Sequence, residues 1–122
     1  MQDNKIKNFT DLITWQEGHK LVLIIYEVCK KFPKTETFAL VDQITRAVVS
    51  ITSNIAEGFG RHGLKEKIQF YYLAQGSLTE VQNQLLISKD VGYISSSELE
   101  NIWAQTILVQ KLLNGLIKSI KK

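Results

Sequence analysis

A single proline, Pro33, interrupts 122 residues, and that scarcity constrains the fold more than any other feature. Proline fixes its own φ, lacks an N–H and pushes the residue before it out of the α region, so it ends helices. Elsewhere apolar residues recur at intervals of three and four, and no stretch sustains the every-other-residue alternation of a strand. The chain is predicted to be all-α.

Start and stop signals divide it into four helices. The first, about 14–32, opens at Thr14, whose hydroxyl is placed to cap while Glu17 reaches back. Its predicted inner stripe is Trp15, His19, Val22, Ile25 or Tyr26, Cys29 and Phe32. The second, about 38–57, carries Leu40, Ile44, Ala47, Ile51 and Ile55 on one side, with Gly58 and Gly60 as C-terminal punctuation. The third, about 64–91, stops at Gly92. Ser95-Ser-Ser-Glu98 is another capping box and opens a helix at about 96–121. Leu99, Ile102, Thr106, Val109, Leu113, Leu116 and Ile120 line one side of it. Short connections between long helices favour neighbours of opposite direction. The expected architecture is a single domain, 1–122, folded as an antiparallel up-down-up-down four-helix bundle.

Asn54-Ile55-Ala56-Glu57-Gly58 places ionisable and amide groups in what otherwise reads as a buried helix. At about 100° per residue, Gln43, Arg46, Ser50, Ser53, Glu57 and Arg61 share one sector. On the third helix Ser77, Glu80 and Gln84 lie among Phe70, Leu73, Ala74, Val81 and Ile87. Polar groups set in an apolar face are expected to be hydrogen-bonded to one another. Arg46, Ser50, Asn54, Glu57, Ser77, Glu80 and Gln84 are therefore predicted to form an internal network, Arg46 pairing with Glu80 or Glu57.

The competing reading makes Glu57 and Glu80 a catalytic or metal-binding pair. Carboxylate-bridged metal sites in bundles use Glu-x-x-His repeats, and this chain has none. Its two histidines, His19 and His62, sit on different elements, and His19 reads as a core residue. Cys29 lies on an apolar stripe, where packing is its expected role. No phosphate loop, dinucleotide fingerprint or nucleophile elbow occurs. No enzyme activity, metal or cofactor is expected. One cysteine cannot form an internal disulfide, no apolar run approaches the ~18 residues that span a bilayer, and the N-terminus lacks a signal-peptide core. The expected place is the cytoplasm, away from membranes.

A net charge of +3 is too small to identify a nucleic-acid partner, so placement decides. The predicted topology gathers Lys5, Lys7, Arg61, Lys65, Lys67, Lys118, Lys121 and Lys122 at one end, against Asp3, Asp11 and Glu66. The other end sets Lys30, Lys31, Lys34 and Lys89 against Glu36, Asp42, Asp90, Glu98 and Glu100. The basic end is an electrostatic footprint for RNA or DNA phosphates, contacted by Arg61, Lys65, Lys67, Lys118, Lys121 and Lys122. The plain alternative is a solubility device. Ile68, Tyr72 and Leu86 form a second apolar strip on the third helix, expected to be a subunit interface or a partner surface. Self-association would multiply the basic ends. A protein-interaction scaffold without nucleic acid is the alternative function.

Phe9-x-x-Leu12-x-x-Trp15-Gln16, Phe32-Pro33-x-x-Glu36-x-Phe38 and Gln43-x-x-Arg46-Ala47 stand in order along the chain. Ser50-Ile51-x-x-Asn54-Ile55-Ala56-Glu57-Gly58 and Gly76-Ser77-x-x-Glu80 follow them. Together they resemble the bacterial four-helix-bundle family of 23S rRNA intervening-sequence, or S23-type, proteins. Accessory variability-determinant proteins of diversity-generating retroelements look like relatives. The resemblance implies a ring-shaped homopentamer; for the retroelement branch it also implies a positive surface that binds nucleic acid and a reverse transcriptase. Two positions depart from the pattern: Thr52 replaces a usual proline, which should leave the second helix straighter, and Thr45 stands where a basic residue often precedes the arginine.

Overall fold

A computed structural model describes residues 6–121, so Asp3, Lys5 and the predicted phosphate contact Lys122 lie outside the described residues. Four α-helices occur among them: α1 Ile13–Cys29, α2 Leu40–Gly60, α3 Leu64–Asp90 and α4 Ser96–Lys121. Short 3-10 turns at Phe9–Asp11 and Lys34–Glu36 precede α1 and α2, and no strand occurs among the described residues. The helices form a four-helix bundle around Leu21, Ile25, Ile44, Val48, Ile51, Ile55, Leu78, Val81, Leu85, Val109 and Leu113, all essentially without solvent contact. Polar pairs stitch α2 to α3, α3 to α4 and α4 to α1. Ser77 Oγ donates to Ser50 Oγ at 2.9 Å, Gln82 Nε2 to Thr106 Oγ1 at 3.0 Å, and Gln105 Nε2 to the Glu17 backbone oxygen at 2.9 Å. No helix among the described residues is long and apolar enough to cross a membrane.

The predicted stripes of α2 and α4 point inward. Ile44, Ala47, Ile51 and Ile55 are buried with Leu40 half-buried; Ile102, Thr106, Val109 and Leu113 are buried with Leu99, Leu116 and Ile120 packed against the core. The Ser95–Glu98 box caps α4 reciprocally. Ser95 N–H donates to Glu98 Oε1 at 2.8 Å, and Glu98 N–H to Ser95 Oγ at 3.1 Å. α2 continues unbroken through Thr52, whose hydroxyl donates to the Val49 carbonyl at 3.0 Å.

α1 departs from its expected phase. Its inner line is Thr14, Gly18, Leu21, Ile25 and Cys29, so Trp15 and Val22 flank the core while His19 and Tyr26 are exposed. The small residues face inward because α2 approaches closely: a Cβ at Gly18 would stand 3.2 Å from Thr52 Cγ2. His19 is therefore no core residue. It stacks on Trp15, ring centroids 4.8 Å apart and 13° from parallel, and Phe9 meets Trp15 edge-on at 5.4 Å. Thr14 is not a cap either. The capping box lies upstream, where Thr10 N–H donates to Asn8 Oδ1 and Asn8 N–H to Asp11 Oδ2, both at 3.0 Å.

Two helix ends also differ. α2 starts at Leu40, where Glu36 Oε1 accepts the Leu40 N–H at 3.2 Å, and leaves Phe38 outside and 94% exposed. At its other end it runs through Gly58, which is a contact rather than a stop. A Cβ there would fall 2.6 Å from Tyr71 Cε1 and 3.0 Å from Phe70 Cβ. α3 ends in a Schellman turn: Gly92 has φ +89°, Tyr93 N–H donates to the Ser88 carbonyl at 2.8 Å, and Gly92 N–H to Lys89 at 3.0 Å. Its inner face is Tyr71, Ala74, Leu78, Val81, Gln84, Leu85 and Ser88, so Leu73 and Ile87, assigned above to the core, are exposed.

Candidate functional site

The polar seam between α2 and α3 divides by charge. Its neutral members meet inside. Asn54 Nδ2 donates to the Ser50 carbonyl at 2.8 Å and to Ser50 Oγ at 3.0 Å, and Ser77 bonds the same hydroxyl. Gln84 is 3% exposed; its Nε2 reaches Glu80 Oε2 at 3.4 Å and Gln43 Oε1 at 3.5 Å, while its Oε1 finds no donor among the described residues.

The charged members stay in water. Arg46 pairs with neither Glu80 nor Glu57: its Nε donates to both Asp42 oxygens at 3.2 Å, one helical turn away, with a side chain 79% exposed. Glu57 pairs instead with Arg61, Nη2 to Oε1 at 2.9 Å, and Glu80 is exposed. Burying a guanidinium carries a large desolvation cost, whereas an i,i+4 carboxylate holds it in solvent at little cost. Asp42 was visible in the sequence at that spacing, which is the signal that would have found the pair. No group of three His, Cys, Asp or Glu side chains converges as a metal site among the described residues. Burial pushes the Cys29 thiol up to about 11, which keeps it protonated and unreactive.

At the basic end the predicted cations do different things. Lys67 Nζ donates to the Phe59 carbonyl at 2.7 Å and to Gly58 at 3.3 Å, closing the C-terminus of α2. The Arg61 guanidinium lies 4.7 Å from the Phe70 ring centre, and Lys121 Nζ donates to Tyr72 Oη at 3.2 Å. Lys65 and Lys118 are exposed, and no described acid lies within ion-pair distance of either. The Lys121–Tyr72 contact brings the last turn of α4 against the start of α3, so cations distant in sequence share one surface.

Of the expected interface strip, Tyr72 and Leu86 are 46% and 45% exposed and Ile68 is half-buried. They lie on the α4 side of α3, where Leu86 borders a hollow with Leu99 and Trp103. Sequence reasoning missed that Leu73 and Ile87 make a second exposed apolar pair on the same helix.

Against known proteins, the profile of the 23S rRNA-intervening sequence proteins matches residues 10–115. The chain belongs to that family. A solved structure with the same fold is a protein of unknown function from the S23 ribosomal protein family of Bacteroides thetaiotaomicron. It is 22% identical, with a TM-score of 0.81 over 87% of this chain and 96% of that one. No curated protein matches the family member described here in sequence.

Proposed function

We propose that this 23S rRNA-intervening sequence family member is a non-enzymatic, self-associating bundle that binds RNA or DNA phosphates through its basic end. The observation that carries the reading is the surface shared by Arg61, Lys65, Lys118 and Lys121, in which Lys65 and Lys118 have no acidic partner among the described residues. Such a surface positions phosphates without reading bases. Helices of alternating direction support it. As residue numbers rise along α3 they fall along α4, from Gln75 with Asn114 to Gln82 with Thr106, which supports an arrangement with the α2–α3 turn and the α4 C-terminus at one end. The proposed assembly is a homopentameric ring in the cytoplasm, in which five weak sites act together.

The test is binding of a mixed-sequence single-stranded RNA across a salt series. Affinity should fall steeply with salt, and each lysine contact removed should flatten the log–log slope by about 0.7. Binding indifferent to salt, or unchanged in a Lys65→Glu/Lys118→Glu variant, overturns the reading. Light-scattering mass tests the ring. A second reading is a scaffold for a protein partner, such as a reverse transcriptase, docked on Ile68, Tyr72 and Leu86. The exposure of Tyr72 and Leu86 favours it, and a partner retained after nuclease treatment would support it.

A further inference from the structure

The outer face of α2 carries four charges in the order acid, base, acid, base: Asp42, Arg46, Glu57 and Arg61. Each base is already bonded to the acid one turn before it, and all four side chains are 43–79% exposed. Asp42 and Arg61 stand four residues outside Arg46 and Glu57, so the pattern is symmetric in spacing about the middle of the helix. Reversing the direction of the helix turns acid-base-acid-base into base-acid-base-acid. We infer that the outer face of α2 pairs with the same face of a second copy of this chain, running in the opposite direction about a two-fold axis, with Arg46 of each copy against Glu57 of the other.

The helix geometry fits this pairing. Arg46 and Glu57 are 11 residues apart, three turns plus about 20°, so they project from the same side of α2 at a separation of about 16 Å along its axis. A two-fold axis across the helix keeps that side and exchanges the two ends. Each Arg46 then meets the Glu57 of the other copy, so the contact occurs twice per pair, as an isologous interface requires. A copy running in the same direction would set like charges together and be rejected. Between the charged pairs the face is low, occupied by Val49, Ser50, Ser53 and Ala56, which lets two backbones approach. Two open hollows on this face, of about 610 and 570 Å³, both border on Ser53; Phe9 walls one and Tyr26, half exposed, walls the other. Those rings and Val49 supply the apolar area that a charge pattern alone lacks.

This contact goes beyond the ring proposed above. A ring joins unlike surfaces, whereas this face joins like surfaces, so it doubles whatever assembly the rest of the molecule makes.

The test uses the nuclease-treated full chain at low salt, with mass measured by sedimentation equilibrium. Two variants are needed, Asp42→Arg/Arg46→Glu and Glu57→Arg/Arg61→Glu. Each keeps an opposite-charge pair one turn apart within its own α2, so the local helix pairing survives. Alone, each variant sets like charges against its own copy and should have half the mass of the wild-type assembly. Mixed in equal amounts, the two are complementary where positions 46 and 57 face each other, with opposite charges also flanking them at 42 and 61, and should regain the doubled mass. Ser53→Arg, at the centre of the exposed face, should also halve it. One mass for all samples overturns the pairing, as does a mixture of folded variants that fails to double. Variants that keep the wild-type mass while losing RNA would assign the face to nucleic acid and equally overturn it. Failure of the ring reads separately, as a mass not divisible by five.

Discussion

The two ends of this molecule are closed by opposite means. Where the α1–α2 and α3–α4 turns meet, side chains bond to one another. Tyr93 Oη donates to Glu36 Oε2 at 2.8 Å, Glu36 Oε1 caps α2, the Phe32 and Tyr93 rings lie 5.2 Å apart, and Lys31 pairs with Glu98. Where the α2–α3 turn meets the last turn of α4, two lysines bond instead to uncharged oxygens, Lys67 to the Phe59 and Gly58 carbonyls and Lys121 to the Tyr72 hydroxyl, while Arg61 lies over Phe70 and keeps its Glu57 partner. An end can in this way be both ordered and basic. A carboxylate partner cancels a cation, whereas a carbonyl or a ring holds it in place and leaves its field largely intact. The same side chains fix the second end and, in the proposed function, leave it open to phosphates.

The largest expected effect falls on the close approach beside the basic end. Gly58→Ala should destabilise by about 1–3 kcal/mol in urea unfolding through overlap with Tyr71, against a helix-propensity gain of about 1 kcal/mol. A variant as stable as wild type would break the account of that end. At the opposite end Tyr93→Phe removes a bond to a carboxylate and should cost about 1 kcal/mol, an effect absent when Glu36 is already Ala. Lys67→Met should cost about 0.5 kcal/mol by opening the α2 C-terminus, whereas Lys65→Ala should leave the denaturation midpoint unmoved and weaken only RNA binding. If both lysines behave alike, the distinction between fastening cations and free ones is lost.

Cys29, inside the first end, should scarcely react with alkylating reagents at pH 8, since burial holds its thiol at about 11. The protonated form is the one favoured by folding. Stability from this group is therefore present below the unfolded value near 9 and is lost as pH rises from there through about 11. Fast alkylation of the native chain would show that this end opens.

Much of this was legible in the residues. α2 and α4 could be phased because their apolar and polar sides separate cleanly and because Ser95 and Glu98 announce a start. α1 was misphased by one position because Thr14 and Gly18, which face the core, carry no hydrophobic signal, while Trp15, Val22 and Tyr26 do. α3 misled for another reason. Leu73 and Ile87 sit beside Ser77 and Glu80 on the rim of the core, and a helical wheel gives angles without saying where burial stops. The same limit drew Arg46 and Glu57 inward, although acids and bases one turn away could satisfy both in water.

The orphaned amide oxygen of Gln84 has a consequence for anyone redesigning this chain. The side chain gives up hydration for two long bonds and one unmatched dipole, so a leucine or methionine of similar bulk would forfeit little. The natural sequence thus leaves robustness unclaimed between α2 and α3, and that slack makes Gln84 a natural first position for hardening the scaffold before its outer faces are altered.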